Sequence, residues 1–259
     1  MSTSFPQILP NGSLILAWQV KNRHVLVVGG GEVAAGRIYH LLNANAKVTV
    51  ISPSMNAEIE QREKDGLLHA VVRRAFVEDD LEMYSKGKEA PVLTEYNEEE
   101  YALMDQYIKE TRFEMVLVAI DDPVESKRIY YQCKKRGMNV NIADVPPLCD
   151  FYFGAIFRKG DLQVMVSTNG KGPRMARLIK DKIGDMFADY EIDKTVENIG
   201  QVRKLLRKAC PGQELNDIST RMEWMTKVTD IYSFKQWSVM DPEKVIKYFP
   251  EMPPKFEEL

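Results

Sequence analysis

Residues 24–43 read HVLVVGGGEVAAGRIYHLLN, and the fold follows from this stretch. Residues 24–28, HVLVV, are a short apolar run of strand-forming residues, and Gly29, Gly30 and Gly31 follow at once. Residues 32–43 then set Val33, Ile38, Leu41 and Leu42 at helical spacing. Strand, glycine turn and helix in this order carry Gly29-x-Gly31-x-x-Ala34, the pattern of a dinucleotide-binding turn. Gly29 makes the tight turn, Gly31 lets a pyrophosphate approach the backbone, and Ala34 lets the helix pack closely on the sheet. The helix N-terminus would hold the phosphates through its free N–H groups and its dipole. A structural turn uses the same glycines, so the motif draws its force from its place between strand and helix.

The rhythm continues outward. KVTVI at 47–51 is a second strand, ended by Ser52-Pro53, and LHAVV at 68–72 is a third. MVLVAI at 115–120 has the continuous apolar character of a buried parallel strand. Asp121-Asp122-Pro123 opens a helix over 124–136, and MNVNI at 138–142 is another strand. Alternating short strands and helices give an α/β domain with a mostly parallel sheet of Rossmann type. The stretch 85–111 interrupts the alternation; Leu103, Met104, Tyr107 and Ile108 predict an inserted amphipathic helix of structural role.

After Pro146-Pro147 the pattern changes. Residues 151–157 and 162–167 flank Arg158-Lys159-Gly160-Asp161 as a hairpin, and a helix spans 174–188. Segments 195–209, 216–232 and 243–248 read as helices. The expected plan is α/β: a Rossmann-type domain over 1–148, a small α+β domain over 149–190 and a helical C-terminal domain over 191–259.

Composition narrows the function classes. There are 35 Lys+Arg against 38 Asp+Glu, a net charge of -3, which gives no whole-protein case for nucleic acid. The start lacks a secretory pattern and no apolar run reaches the ~18 residues of a membrane span. Cys133, Cys149 and Cys210 are widely spaced and form no zinc framework, so a reducing, cytoplasmic setting is expected. The three histidines, His24, His40 and His69, form no metal motif and read as structural or surface residues. No metal site is expected.

The acidic residue that usually follows the second strand to grip the ribose is missing; the chain reads Ile51-Ser52-Pro53-Ser54. Ser52 or Ser54 could meet a ribose hydroxyl, and Arg62 is within a helix's reach of a 2′-phosphate, so the residues leave NAD and NADP both open. Asp144 stands at a C-terminal strand edge, where open α/β sheets bind ligands. There it is either a proton-transfer carboxylate, favoured if partly buried, or an ordinary loop cap. Asp121 and Asp122 first read as helix caps. Seven basic residues between 151 and 182 face only Asp161 and Asp181. Among them Arg174, Arg177 and Lys180 are three apart on one helix face, with Lys171 in the turn before it. This patch would suit a polycarboxylate or simply be a solvated face. Phe151, Tyr152 and Phe153 read as packing.

These pieces together resemble the precorrin-2 dehydrogenase/sirohydrochlorin ferrochelatase family, in its stand-alone fungal branch. The resembling stretches are VLVVGGGEVAAGR at 25–37, VTVISP at 48–53, NVNIADVPPLCDFYFGA at 139–155, VSTNGKGPRMARLIKDKI at 166–183 and RKLLRKACPG at 203–212. The resemblance implies NAD+-dependent oxidation of precorrin-2 to sirohydrochlorin, then insertion of Fe2+, as a substrate, to give siroheme. It implies a homodimer formed through the central domain, with no nucleic-acid or membrane partner. By resemblance Asp144 serves both reactions and Glu32-Val33 and Pro53-Ser54 contact NAD; Lys171, Arg174, Arg177 and Lys180 of the basic patch are the candidates to receive the substrate's carboxylates. Gly30, Ala119, Asp121 and Asn141 complete the candidate cofactor set. Relatives have Ser where this chain has Gly172, and the tail here holds no histidine for a His-based chelation. A dehydrogenase without chelatase activity and a nonenzymatic NAD-responsive protein are the competing readings.

Overall fold

The computed structural model describes Pro10 and residues 12–259; the start of the chain, read above for a secretory pattern, lies outside the described residues. Two compact units form, over residues 14–152 and 153–259.

The first unit follows the order β1 (His24–Val28), α1 (Glu32–Asn43), β2 (Lys47–Ile51), α2 (Ala57–Lys64), β3 (Ala70–Val72), α3 (Glu98–Thr111), β4 (Phe113–Val118), α4 (Pro123–Lys135) and β5 (Val140–Ile142). The strands pair in parallel in the order β3-β2-β1-β4-β5. The chain thus winds outward from β1 in both directions, and the switch point lies between β1 and β4. Every residue of β1 is buried because helices cover both faces of the sheet. Leu26 and Val28 pack with Val116, Val118, Ile129 and Cys133 on the α4 side. Val25 and Val27 point the other way, toward the buried Ala34, Ala35, Ile38 and Leu41 of α1.

β1, α1 and β2 have the bounds expected from the sequence. β4 begins two residues earlier than expected, because Phe113 pairs with His24 across a register shift, and Ala119 and Ile120 lie beyond its end. The insertion does hold an amphipathic helix, α3, capped by Asn97, whose side chain accepts from Glu100 N–H at 3.0 Å. Helix α2 had no strong apolar stripe to announce it; Ile59 is its buried residue.

In the second unit β6 (Ala155–Lys159) and β7 (Leu162–Val166) form an antiparallel hairpin, followed by α5 (Pro173–Met186). The turn has two residues, Gly160-Asp161, rather than the four read from sequence, because Gly160 takes φ +59° and lets Lys159 pair with Leu162. Then come α6 (Ile192–Ala209), α7 (Leu215–Ile231), α8 (Phe234–Ser238) and α9 (Pro242–Ile246). They enclose Val202, Leu206, Trp224, Val228, Trp237 and Val245. Trp224 Nε1 donates to Glu251 O at 2.8 Å and Tyr232 Oη to Pro254 O at 2.6 Å, tying down the Pro-rich end. Sequence reading missed α8, although Ser233 and Gln236 form a capping box at its start.

A buried histidine in the first unit makes stability depend on pH. His24 is stacked on Tyr84 at 4.2 Å, and its Nδ1 has no hydrogen-bond partner among the described residues. Burial, reinforced by His69, Lys47 and Lys88 and opposed by Glu110, pushes it from 6.5 down to about 4. The unfolded chain therefore binds a proton that the folded chain refuses between those values. Stability is complete above pH 6.5 and falls as pH drops toward 4, by up to ~3 kcal/mol. His24→Phe, measured by urea unfolding, should lose less stability than the native chain between pH 7 and pH 4.5. Equal losses would show that His24 is not the acid-sensitive group.

Candidate functional site

The three glycines do different work. Gly29 has φ +123°, and a Cβ there would lie 2.1 Å from Ala119 O. A Cβ on Gly30 would lie 1.9 Å from Ser54 O and 2.9 Å from Ser52 Oγ. Both positions are closed by the protein itself. Gly31 differs: among the described residues nothing lies within 4 Å of where its Cβ would be, and no side chain caps α1, which begins there. Glu32 and Val33 in the first turn are exposed, while Ala34 is fully buried beneath them. An uncapped helix start below open space, with backbone bare at Gly31, fits a bound pyrophosphate.

At the end of β2 the Ser52 hydroxyl donates to Ser54 O at 2.8 Å and is buried. Its proton is therefore spent inside the loop, whereas Pro53 and Ser54 are exposed. Arg62 donates to Ala35 O at 2.8 Å and pairs with Glu58. Its guanidinium braces α2 against α1.

The edge of β4 and β5 carries the acidic candidates. Ala119 N–H donates to Val28 O at 2.8 Å, which sets its carbonyl against Gly29. Asp122 caps α4, accepting from Val124 and Glu125 N–H at 2.9 Å. Asp121 does not share that role and stays exposed just before it. Asn141 is buried, and its amide donates to Phe151 O at 2.8 Å and to Cys149 Sγ at 3.3 Å. Asp144 sits in the turn after β5 with φ +59°, a left-handed conformation that Asp tolerates better than most residues. It is exposed, so the partial burial that would have favoured a proton-transfer role is not present; the turn lifts it off the sheet edge. Tyr152 Oη donates to Pro146 O at 2.9 Å, and Phe151 meets Trp18 edge-on at 5.5 Å. The aromatic residues thus pack and brace the Asp144 loop.

Two residues here escaped the sequence reading. Cys149 sets its thiol beneath the Asp144 turn, 3.1 Å from Ile142 O. Arg37, on α1, is half-buried; burial lowers its pKa, while Cys149 and Asp144 press it back toward the charged form. The signal for Arg37 was its place one turn beyond the glycine motif. Nothing in the sequence distinguished Cys149 from a core cysteine.

In the second unit, Lys171, Arg174 and Arg177 are exposed, and Lys180 is half-buried and paired with Asp181. Lys180 first, then Arg177 and Arg174, holds the Asp181 carboxyl below its usual range, so these cations share one face of α5. Lys159 leaves the patch: its ammonium donates to Phe187 and Tyr190 carbonyls at the end of α5.

Known families match three successive stretches between residues 16 and 256. NAD(P)-binding domains match residues 16–155, the sirohaem biosynthesis protein central region residues 159–186, and the sirohaem biosynthesis protein C-terminal region residues 189–256. A siroheme biosynthesis protein of Schizosaccharomyces pombe is 38% identical over 262 residues, covering 100% of this chain and 88% of that protein.

The chain belongs to the sirohaem biosynthesis family.

A siroheme biosynthesis protein of Saccharomyces cerevisiae, a second family member, is 30% identical over 253 residues, covering 93% of this chain and 90% of its own. The siroheme synthase of a Psychrobacter species is 29% identical over 196 residues, 76% of this chain but 34% of that longer protein. Among solved structures, SirC, a precorrin-2 dehydrogenase, superposes with a TM-score of 0.59 at 24% identity, covering 92% of this chain and 100% of that one. This last likeness bears on fold. The NAD(P)-binding match spans the glycine turn, and no helix among the described residues is long and apolar enough to cross a membrane.

Proposed function

We propose that this protein oxidises precorrin-2 to sirohydrochlorin with NAD+ and then inserts Fe2+ to form siroheme. The observation that carries this reading is the open, uncapped start of α1 on the same sheet edge as the exposed Asp144. NAD+, when bound, supplies the hydride acceptor. Gly31, Glu32, Val33 and the first turn of α1 hold its pyrophosphate, and Pro53 and Ser54 flank its ribose. Gly29, Gly30 and Ser52 shape that cradle from behind, and Ala119, Asp121 and Asn141 border it. Arg62, engaged with Ala35 and Glu58, is not presented to a 2′-phosphate, which favours NAD+ over NADP+.

As the hydride leaves a saturated ring carbon, Asp144 accepts the accompanying proton, so the ring loses two hydrogens and its conjugation extends. In the second reaction Asp144 takes up protons that leave the pyrrole nitrogens as Fe2+ enters. Lys171, Arg174, Arg177 and Lys180 engage the substrate's carboxylates. A cytoplasmic setting fits three cysteines that form no disulfide.

The test is a sequential absorbance assay. Precorrin-2 with NAD+ and purified protein should produce NADH, and later addition of Fe2+ should shift the tetrapyrrole spectrum. Absence of NADH would defeat the enzymatic reading. NADH formation with iron insertion no faster than without protein would leave a dehydrogenase alone.

The central segment, taken as 149–190 with the helical tail over 191–259, also supports a homodimer. Neither β6 nor β7 has a buried residue, and Met175, Leu178 and Ile179 of α5 are exposed. A two-stranded sheet of this kind is marginal until something covers it. Sedimentation equilibrium should return twice the chain mass at micromolar concentration; a monomer throughout that range would contradict the assignment.

A further inference from the structure

Asp144 keeps φ +59°, a conformation that carries a cost even for Asp and that its surroundings help to hold. Backbone bonds hold the two ends of the turn: Ala143 N–H donates to Val118 O at 2.8 Å and Leu148 N–H to Val145 O at 2.9 Å. Across Asp144 itself, Val145 N–H reaches Ile142 O at 3.3 Å, a long bond. A side chain further on adds a second restraint there. Cys149 Sγ lies 3.1 Å from Ile142 O and 3.4 Å from Val145 O, the carbonyls on either side of the Ala143–Asp144 pair. The same sulfur accepts from Asn141 Nδ2 at 3.3 Å. One atom therefore joins the end of β5 to both flanks of the residue that carries the carboxylate.

The sulfur is itself held in place. Asn141 and Cys149 form an antiparallel bridge. Next to it, Asp150 N–H donates to Val140 O at 2.9 Å, and Asp150 Oδ2 accepts from Val140 N–H at 2.9 Å. Burial raises the Cys149 pKa, so the S–H stays available as a donor.

We propose that Cys149 is a positioning residue for Asp144: its thiol, by hydrogen bonding rather than by bulk, fixes the turn that aims the carboxylate. The inference rests on the proton-transfer reading of Asp144. Sulfur has one proton for two carbonyls, so it bonds to them in turn or shares it between them. A serine hydroxyl does the same from a shorter bond and is a stronger donor. Alanine removes the sulfur contact from both carbonyls and from the Asn141 amide, leaving Ile142 O its long bond from Val145 N–H, Val145 O its bond from Leu148 N–H and the amide its bond to Phe151 O.

The experiment compares Cys149→Ala and Cys149→Ser in the dimer-checked full chain. Cys149→Ala should lower kcat for precorrin-2 oxidation about tenfold, since small misplacements of a reacting group are costly. Its KM for precorrin-2 and its NAD+ affinity should remain native. Cys149→Ser should recover kcat to within about threefold of native. Native kcat in folded Cys149→Ala overturns the proposal. So does a Cys149→Ser variant as impaired as Cys149→Ala, since packing would then be the cause, and so does an effect confined to KM. Should Cys149→Ala fail to fold, Cys149→Val, which restores volume without a donor, is read by the same criteria. Failure of the underlying reading has its own signature: Asp144→Asn would then turn over at the native rate whatever Cys149 does.

Discussion

Asp144→Asn should lower both precorrin-2 oxidation and iron insertion by about 10²–10⁴-fold, the range of a lost general base. The substitution keeps size and removes charge and proton affinity. Asp144 is exposed, so the fold should survive. NAD+ affinity should stay native, because the phosphate cradle is built by β1 and α1 rather than by the turn after β5. Sirohydrochlorin must be supplied directly in the iron assay, so that a failed oxidation does not hide the second reaction. Near-native rates in both assays would remove Asp144 from the mechanism. Loss of oxidation alone would assign iron insertion to another site. Arg174→Ala should behave differently, raising KM for the polycarboxylate substrate with little change in kcat.

Gly31→Asp should weaken NAD+ binding on the order of a hundredfold, by repulsion between the new carboxylate and the pyrophosphate. The structure makes this variant unusually clean. Among the described residues nothing lies within 4 Å of the added Cβ, and the backbone at Gly31, φ −84°, suits any residue. An acidic side chain at a helix N-terminus even favours the helix itself. Calorimetric titration should therefore show lost affinity in a protein of native dichroism and melting temperature. Unchanged affinity would move the cofactor elsewhere. Gly30 offers no such test, because a Cβ there would strike Ser54 O and the turn would have to move.

Much of this protein was legible before any coordinates. β1, α1 and β2 show their bounds in the run HVLVVGGGEVAAGRIYHLLN and the strand that follows, since local apolar spacing and glycine placement decide them. The hairpin turn was read too long, because whether Arg158 and Lys159 pair depends on β7 opposite them. Asp144 could be named from its place after a strand, but not its exposure. Cys149 could not be found at all: its sulfur reaches the Asp144 turn because the backbone bridge between Asn141 and Cys149 brings it there.

By itself the sequence determined the α/β rhythm, the glycine turn, the basic face of α5 and the membership that these motifs announce. Those features depend on residues close together along the chain, where steric and apolar periodicities act directly. Only the tertiary structure decided which glycine is open to a ligand, which serine and arginine are already spent, and which sulfur stands under the Asp144 turn. Each of those is a question of what occupies a few ångströms of space beside a side chain. The neighbours that answer it, Ala119 for Gly29, Ser54 for Gly30 and Ala35 for Arg62, are brought there by strand pairing and helix packing rather than by order along the chain.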